Sequence, residues 1–220
     1  MVGYIRFQAV STMDVLSHLL QHKIIAIVRG VRPEAVPHIA QALYRGGIRA
    51  IEITLNSEGA FGAIKQLCAV VENDMLVGAG TVLDAAAATE AIHCGAQFII
   101  SPSLELDVIK QTKALGKVSI PGAYTPTEVV AAHRAGGDLI KIFPASNPQY
   151  IKDLKGPLDH IPMMPTGGVN LDNIRLFQQA GAVAFGIGSS MVDGRQQITP
   201  AYLEALEQKA AQFVQALNNN

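Results

Sequence analysis

Short, almost wholly apolar runs recur along the chain: IIAIV (24–28), AIEIT (50–54), MLVGA (75–79), QFIIS (97–101), KVSIP (117–121), LIKIF (139–143), IPMMP (161–165) and VAFGI (183–187). Each is too short for a helix and rich enough in β-branched residues to predict a strand. The segments between them, such as PEAVPHIAQALYRGG, EGAFGAIKQLCAVV, DAAAATEAIHCGA, ELDVIKQTKALG and TPTEVVAAHRAGG, carry apolar residues at helical spacing, and several stop at glycine. Continuous apolar strands joined by helices call for a parallel sheet covered on its faces. Eight such units, spaced by roughly 20 to 25 residues, predict an α/β protein with a (β/α)8 TIM barrel; an open doubly wound sheet is the alternative. STMDVLSHLLQHK reads as an extra N-terminal helix closing the barrel bottom, and TPAYLEALEQKAAQFVQAL as the last outer helix. No composition shift divides the chain, so one domain is expected over residues 1–220, with 1–22 as N-terminal segment and closing helix and 23–217 as barrel.

Two charges interrupt the apolar pattern. In AIEIT, Ile51 and Ile53 share one face of the strand, and Ala50, Glu52 and Thr54 share the other. If the isoleucines meet the outer helices, Glu52 points into the barrel; Lys141, flanked by Ile140 and Ile142, obeys the same rule. A structural ion pair is the plain reading, but such a pair is costly to desolvate and adds little stability. A lysine in an apolar pocket has its charged form disfavoured, which yields a neutral amine able to attack a ketone and form a Schiff base.

Barrels carry their chemistry at the carboxyl ends of the strands. That rim would collect Arg29, Asn56, Ser57, Thr81 in GAGT, Pro102 in SPS, Gly122, Lys141, the TGG of Thr166, Gly167 and Gly168, and the GIGSS containing Gly188, Ser189 and Ser190. The last two motifs follow the seventh and eighth predicted strands, where barrels bind phosphate with loop amides and hydroxyls, so a phosphate site is expected there.

Composition narrows the partners. The chain is 49% hydrophobic and 16% charged with a formal net charge of −1, a balance that suits a packed globule and gives no field for nucleic acid or a membrane surface. No run approaches the roughly 20 apolar residues of a membrane span. Cys68 and Cys94 lack metal or redox spacing, which fits a reducing cytoplasm. All six histidines fall on predicted helices or before the seventh strand, away from the rim, so no metal site is expected. GAGT lacks the spacing of a dinucleotide loop. An epimerase acting through rim carboxylates or metal instead of an imine is one alternative; a non-catalytic sugar-phosphate-binding barrel is another, and it would keep the glycine loops but need neither Lys141 nor Glu52.

Taken together, IEITLNS, GAGTVL, ISPS, IPGAYTPTE, LIKIFPAS, MPTGGVNLDN and GIGSS resemble the 2-keto-3-deoxy-6-phosphogluconate (KDPG) and 4-hydroxy-2-oxoglutarate (KHG) aldolase family, including its phosphogalactonate branch, from about residue 23 to 215. The resemblance implies a class I aldolase lyase on a TIM barrel, a homotrimer, that releases pyruvate and glyceraldehyde 3-phosphate from a phosphorylated keto-deoxy sugar acid without cofactor. Lys141 would be the Schiff-base lysine and Glu52 the acid/base. Arg29, Thr81 and Pro102 would line the pyruvate end, and Thr166, Gly167, Gly168, Gly188, Ser189 and Ser190 would hold phosphate. Three positions depart from common family patterns: Asn56 stands where some gluconate-type members have a carboxylate-binding arginine, and Ser103 of SPS and Ser189 each replace a common glycine. Arg29 resembles an alternative arrangement also found in the phosphogalactonate branch.

Overall fold

Strands and helices alternate along the chain in a computed structural model that describes residues 12–71, 74–145 and 147–218. The expected N-terminal segment through Ser11 lies outside them. Helix α1 (Thr12–His22) leads into β1 (Ile24–Val28), then a 3₁₀ turn (Pro33–Ala35) and α2 (Val36–Arg45). There follow β2 (Ala50–Thr54), α3 (Ala60–Val70), β3 (Leu76–Gly80), α4 (Ala85–His93), β4 (Phe98–Ile100) and α5 (Leu106–Ala114). The second half holds β5 (Val118–Ile120), β6 (Gly122–Ala123), α6 (Pro126–Arg134), β7 (Ile140–Ile142), α7 (Pro148–Lys155), β8 (Met163–Pro165), α8 (Ile174–Gln179), β9 (Phe185–Ile187) and α9 (Pro200–Asn218).

The strand pairs are parallel. One sheet runs β5-β4-β3-β2-β1-β9 and a second runs β6-β7-β8. The two adjoin at a parallel bridge between Thr166 and Gly186, and again at Pro121, which ends the predicted strand KVSIP and separates β5 from β6 just beyond it. Proline has no N–H to give the ladder, so the run breaks there. The result is an α/β fold with a curled parallel sheet. The later strands are shorter than their apolar runs because flanking residues such as Leu139, Ile161 and Ala184 are buried without being paired.

Alternation sorts the strand side chains into two layers. Ile24, Ala26, Ile51, Ile53, Ile140, Ile142, Phe185 and Ile187 pack with the helices. Ile25, Ala50, Leu76, Phe98, Leu139, Met164 and Ala184 form a separate interior cluster at the amino-terminal ends of the strands, joined by Val15 and Leu19 of α1. A Cβ on Gly78 would come within 2.2 Å of the Phe98 ring, so the glycine makes room for the largest interior side chain.

Helix starts fix where each chain segment leaves the rim. Asp84 accepts the Ala87 amide at 2.7 Å ahead of α4, and Asn147 accepts the Tyr150 amide at 2.9 Å ahead of α7. Thr125 and Glu128 form a reciprocal capping box on α6. On the outer face α9 lies so close to the end of α2 that a Cβ on Gly46 would sit 2.5 Å from the Ala210 Cβ.

Candidate active site

Glu52 lies on the face of β2 opposite Ile51 and Ile53, in register with Ile27 of β1 and Gly78 of β3, and is fully buried. Its carboxyl group rests on Gly80 of β3, where a Cβ would fall 1.5 Å from Oε1 and 2.2 Å from Cδ. Neither carboxylate oxygen has a hydrogen-bond partner among the described residues. An ionised carboxylate in that position is poorly solvated, and burial raises its pKa above the ordinary range, with the charges of Lys141 and Arg29 opposing the rise. Gly80→Ala is expected to drive the Glu52 side chain or the strand aside. It should cost about 1–3 kcal/mol of stability by overpacking, read as a lowered Tm, together with a loss of activity.

Lys141 occupies the matching inward position on β7, between Gly122 of β6 and Met164 of β8. The residue is 3% exposed, and its Nζ lies 5.0 Å from the centroid of the Phe143 ring. Burial lowers its pKa; Glu52 pulls the other way, and Arg29 adds to the fall. Because Glu52 has no hydrogen-bond partner, the attraction between the two groups acts through space and not through a direct contact. The lysine therefore keeps its three N–H positions and, once neutral, its lone pair for another molecule.

Lys141 opens into a cavity of about 520 Å³ whose wall also includes Arg29, Thr166, Gly167, Gly168, Gly188, Ser189 and Ser190. Gly167 and Gly168 have φ of +80° and +90°, the left-handed region that glycine enters without strain. Asn173 holds that turn by donating to the Gly168 carbonyl at 2.8 Å and accepting the Asn170 amide at 2.9 Å. The amides of Gly168, Ser189 and Ser190 make no hydrogen bond among the described residues, and the buried Thr166 hydroxyl is also unpartnered. Ser190 directs its one O–H to the Val169 carbonyl at 2.6 Å, so its backbone amide, and not its hydroxyl, is the donor left for a ligand.

Three expected site residues do not line this cavity: Glu52, Thr81 and Pro102. Glu52 is covered completely. Thr81, a β-branched residue held at φ +57°, accepts a 3.4 Å hydrogen bond from Arg29 Nη2 and so reaches the cavity through that arginine. Pro102 is turned to the neighbouring strand, where a Cβ on Gly122 would be 2.3 Å from its carbonyl carbon. Conversely, Phe143 and Asn170, which the motifs LIKIFPAS and MPTGGVNLDN contain without a role, and Asp193 and Arg195, which lie outside every motif, also line the cavity. The histidines lie elsewhere, and no group of three His, Cys, Asp or Glu side chains converges among the described residues. No helix there is long and apolar enough to cross a membrane.

A parallel α/β fold with an inward buried lysine and carboxylate and glycine-rich loops over the cavity fits an enzyme that breaks carbon–carbon bonds through a lysine. A family model described as KDPG and KHG aldolase matches residues 15–207, and the chain belongs to that family. It is 36% identical over 197 residues to the 2-dehydro-3-deoxy-6-phosphogalactonate aldolase of Escherichia coli K12, covering 88% of this chain and 93% of that one. It is 34% identical over 200 residues to the 2-dehydro-3-deoxy-phosphogluconate aldolase of Treponema pallidum, covering 87% and 93%. A solved native KDPGal structure superposes with a TM-score of 0.83 at 34% identity, covering 89% of this chain and 94% of that one.

Proposed function

We propose that this enzyme is a class I aldolase that cleaves 2-dehydro-3-deoxy-6-phosphogluconate to pyruvate and glyceraldehyde 3-phosphate through an imine on Lys141. The observation that carries this reading is a lysine 3% exposed, with a lowered pKa and no direct ion pair among the described residues, opening into the cavity. Cleavage of 4-hydroxy-2-oxoglutarate to pyruvate and glyoxylate would follow the same course.

Neutral Lys141 attacks C2 of the keto acid, and Glu52 moves the protons needed to form the carbinolamine and expel water. The protonated imine draws electrons. A base, Glu52 directly or through water, takes the C4 hydroxyl proton; the O–H electron pair forms the second bond of the aldehyde carbonyl, and the C3–C4 pair moves into an enamine. Glyceraldehyde 3-phosphate leaves, C3 is protonated, and water hydrolyses the imine to pyruvate and free lysine. The protonated imine takes up the electron pair released when C3–C4 breaks, so the cycle calls for no metal or organic cofactor. Arg29 with Thr81 would hold the substrate carboxylate, with Pro102 backing the pyruvate end. The loops of Thr166, Gly167, Gly168, Gly188, Ser189 and Ser190 would hold the phosphate, whose remote binding orients the reacting carbons.

On this reading the curled sheet closes as a (β/α)8 barrel in a single domain, with α1 across its bottom. The packing of Val15 and Leu19 into the interior cluster and the Thr166–Gly186 bridge support that closure. A homotrimer in the cytoplasm completes the proposal; sedimentation of the purified chain tests the assembly.

A second reading, the galactonate epimer as preferred substrate, is favoured by one arrangement: Arg29 at the cavity wall while position 56 holds asparagine. Measuring kcat/KM for pyruvate release from both phosphorylated epimers and from 4-hydroxy-2-oxoglutarate separates the readings. The gluconate epimer is expected to react fastest and the unphosphorylated acid slowest. A faster galactonate epimer would establish the second reading, and no release from any of the three would leave a non-catalytic sugar-phosphate-binding barrel.

A further inference from the structure

The loop between β9 and α9 carries more than the glycines and serines of the expected phosphate site. Beyond Ser190 it continues to Asp193, Gly194 and Arg195, and all three line the same cavity as Ser189 and Lys141. The base of this loop is fixed. The amides of Met191 and Val192 donate to the Gly188 carbonyl at 2.8 and 2.9 Å, and the Asp193 amide donates to the hydroxyl of Tyr202 on α9 at 3.2 Å. Gly194 lies against the end of β1, where a Cβ would be 2.2 Å from the Arg29 carbonyl oxygen. A side chain at position 194 would push the loop off the cavity wall.

On this fixed base the Arg195 side chain is 88% exposed. Its Nε and Nη2 donate to the two oxygens of Asp193 at 2.9 and 3.3 Å, and its backbone amide donates to Asp193 at 3.2 Å. Nη1 makes no hydrogen bond among the described residues. An exposed pair two residues apart contributes little to stability. What Asp193 does is hold a planar guanidinium in one orientation on a wall where the amides of Gly168, Ser189 and Ser190 make no hydrogen bond among the described residues. Guanidinium matches phosphate with paired, charge-assisted hydrogen bonds, which neither the serine hydroxyls nor a lysine reproduces.

We propose that Arg195 binds the substrate phosphate and sets the enzyme's preference for phosphorylated over unphosphorylated keto-deoxy acids. The inference rests on the phosphate site read above and divides the two ends of the substrate between two arginines. Arg29, tied to Thr81, meets the carboxylate, and Arg195, on the loop of Gly188–Ser190, meets the phosphate. Asp193 has a double effect. With Arg195 present its charge is compensated, and the guanidinium holds its pKa down at about 2. With Arg195 removed, a bare carboxylate faces the incoming phosphate and repels it.

Pyruvate release from the phosphorylated acid and its dephosphorylated counterpart, measured with wild type, Arg195→Gln and the Asp193→Asn/Arg195→Gln double variant, tests this assignment. Binding of glycerol 3-phosphate by calorimetry and borohydride trapping of pyruvate are run on the same samples. Arg195→Gln is expected to lower kcat/KM for the phosphorylated acid about 10- to 100-fold and to weaken glycerol 3-phosphate to a similar degree. The dephosphorylated acid and pyruvate trapping should be unaffected, and the double variant should recover part of the loss. Equal loss on both substrates, or no loss on either, overturns the inference while normal trapping leaves the aldolase reading in place. Weakened glycerol 3-phosphate binding in Arg195→Gln, with no pyruvate adduct even in wild type, upholds Arg195 as a phosphate residue and overturns the imine chemistry instead.

Discussion

Lys141→Met is expected to abolish pyruvate release, with kcat lowered by about 10⁴-fold or more, because the chain loses the atom that bonds to the substrate. Methionine keeps the length and apolar stem of lysine, so the interior between Gly122 and Met164 stays filled. The positive charge of Lys141 is one of the influences that lower the Glu52 pKa, so without it the Glu52 pKa moves further up and the uncharged carboxyl is favoured more strongly. The variant should therefore fold with a Tm near that of wild type while failing to release pyruvate. Lys141→Arg sharpens the result: it retains a cation but has no accessible neutral amine, and it should be as inactive as methionine. Activity in the arginine variant would mean that Lys141 acts by charge, as an electrostatic anchor, and not as a nucleophile.

Glu52→Gln carries the second large effect. General acid–base groups contribute about 10²- to 10⁴-fold, and a loss of kcat in that range is expected. Glutamine has the shape of the carboxylate and fits above Gly80, so the effect isolates proton transfer from packing. The pH dependence gives an independent check with a definite sign. In the wild type the negative charge of Glu52 raises the Lys141 pKa against the lowering by burial. Removing it lets the Lys141 pKa fall further, so more of the lysine is neutral at a given pH. The rate of pyruvate imine formation, followed against pH, should rise in a limb that lies at lower pH in Glu52→Gln than in wild type. An unchanged kcat would exclude Glu52 from the proton transfers, and a limb displaced to higher pH would contradict the electrostatic link between the two groups.

The sequence makes Glu52 and Lys141 legible for a simple reason: strand side chains alternate with a period of two, and an isoleucine on each side of a charge states which face the charge takes. The isoleucines do pack among the helices, and the charges do point inward. The loops proposed to hold phosphate are legible as glycine-rich turns after particular strands. What the pattern does not carry is anything set by register or by where a loop comes to rest. Gly80 reads as one glycine of GAGT until the pairing of β2 with β3 lays the Glu52 carboxyl across it. Ser190 reads as a free hydroxyl until the loop brings Val169 within 2.6 Å of it. Arg195 lies in a polar stretch with no periodicity, and its place on the cavity wall depends on Gly194 meeting the Arg29 carbonyl, a contact between the two ends of the fold. Pro121 is visible in KVSIP, but its effect is to separate β5 from β6, which apolar content cannot show. Pro102 is expected at the site from its motif alone; its backbone packs against Gly122, and it is not among the residues lining the cavity.

The measurement that bears most directly on the imine is to incubate the wild-type enzyme with pyruvate and borohydride, digest it and locate the adduct by mass spectrometry. One reduced pyruvate on the peptide containing Lys141, absent from Lys141→Met, is the predicted result. An unmodified chain, or an adduct confined to other lysines, would contradict it.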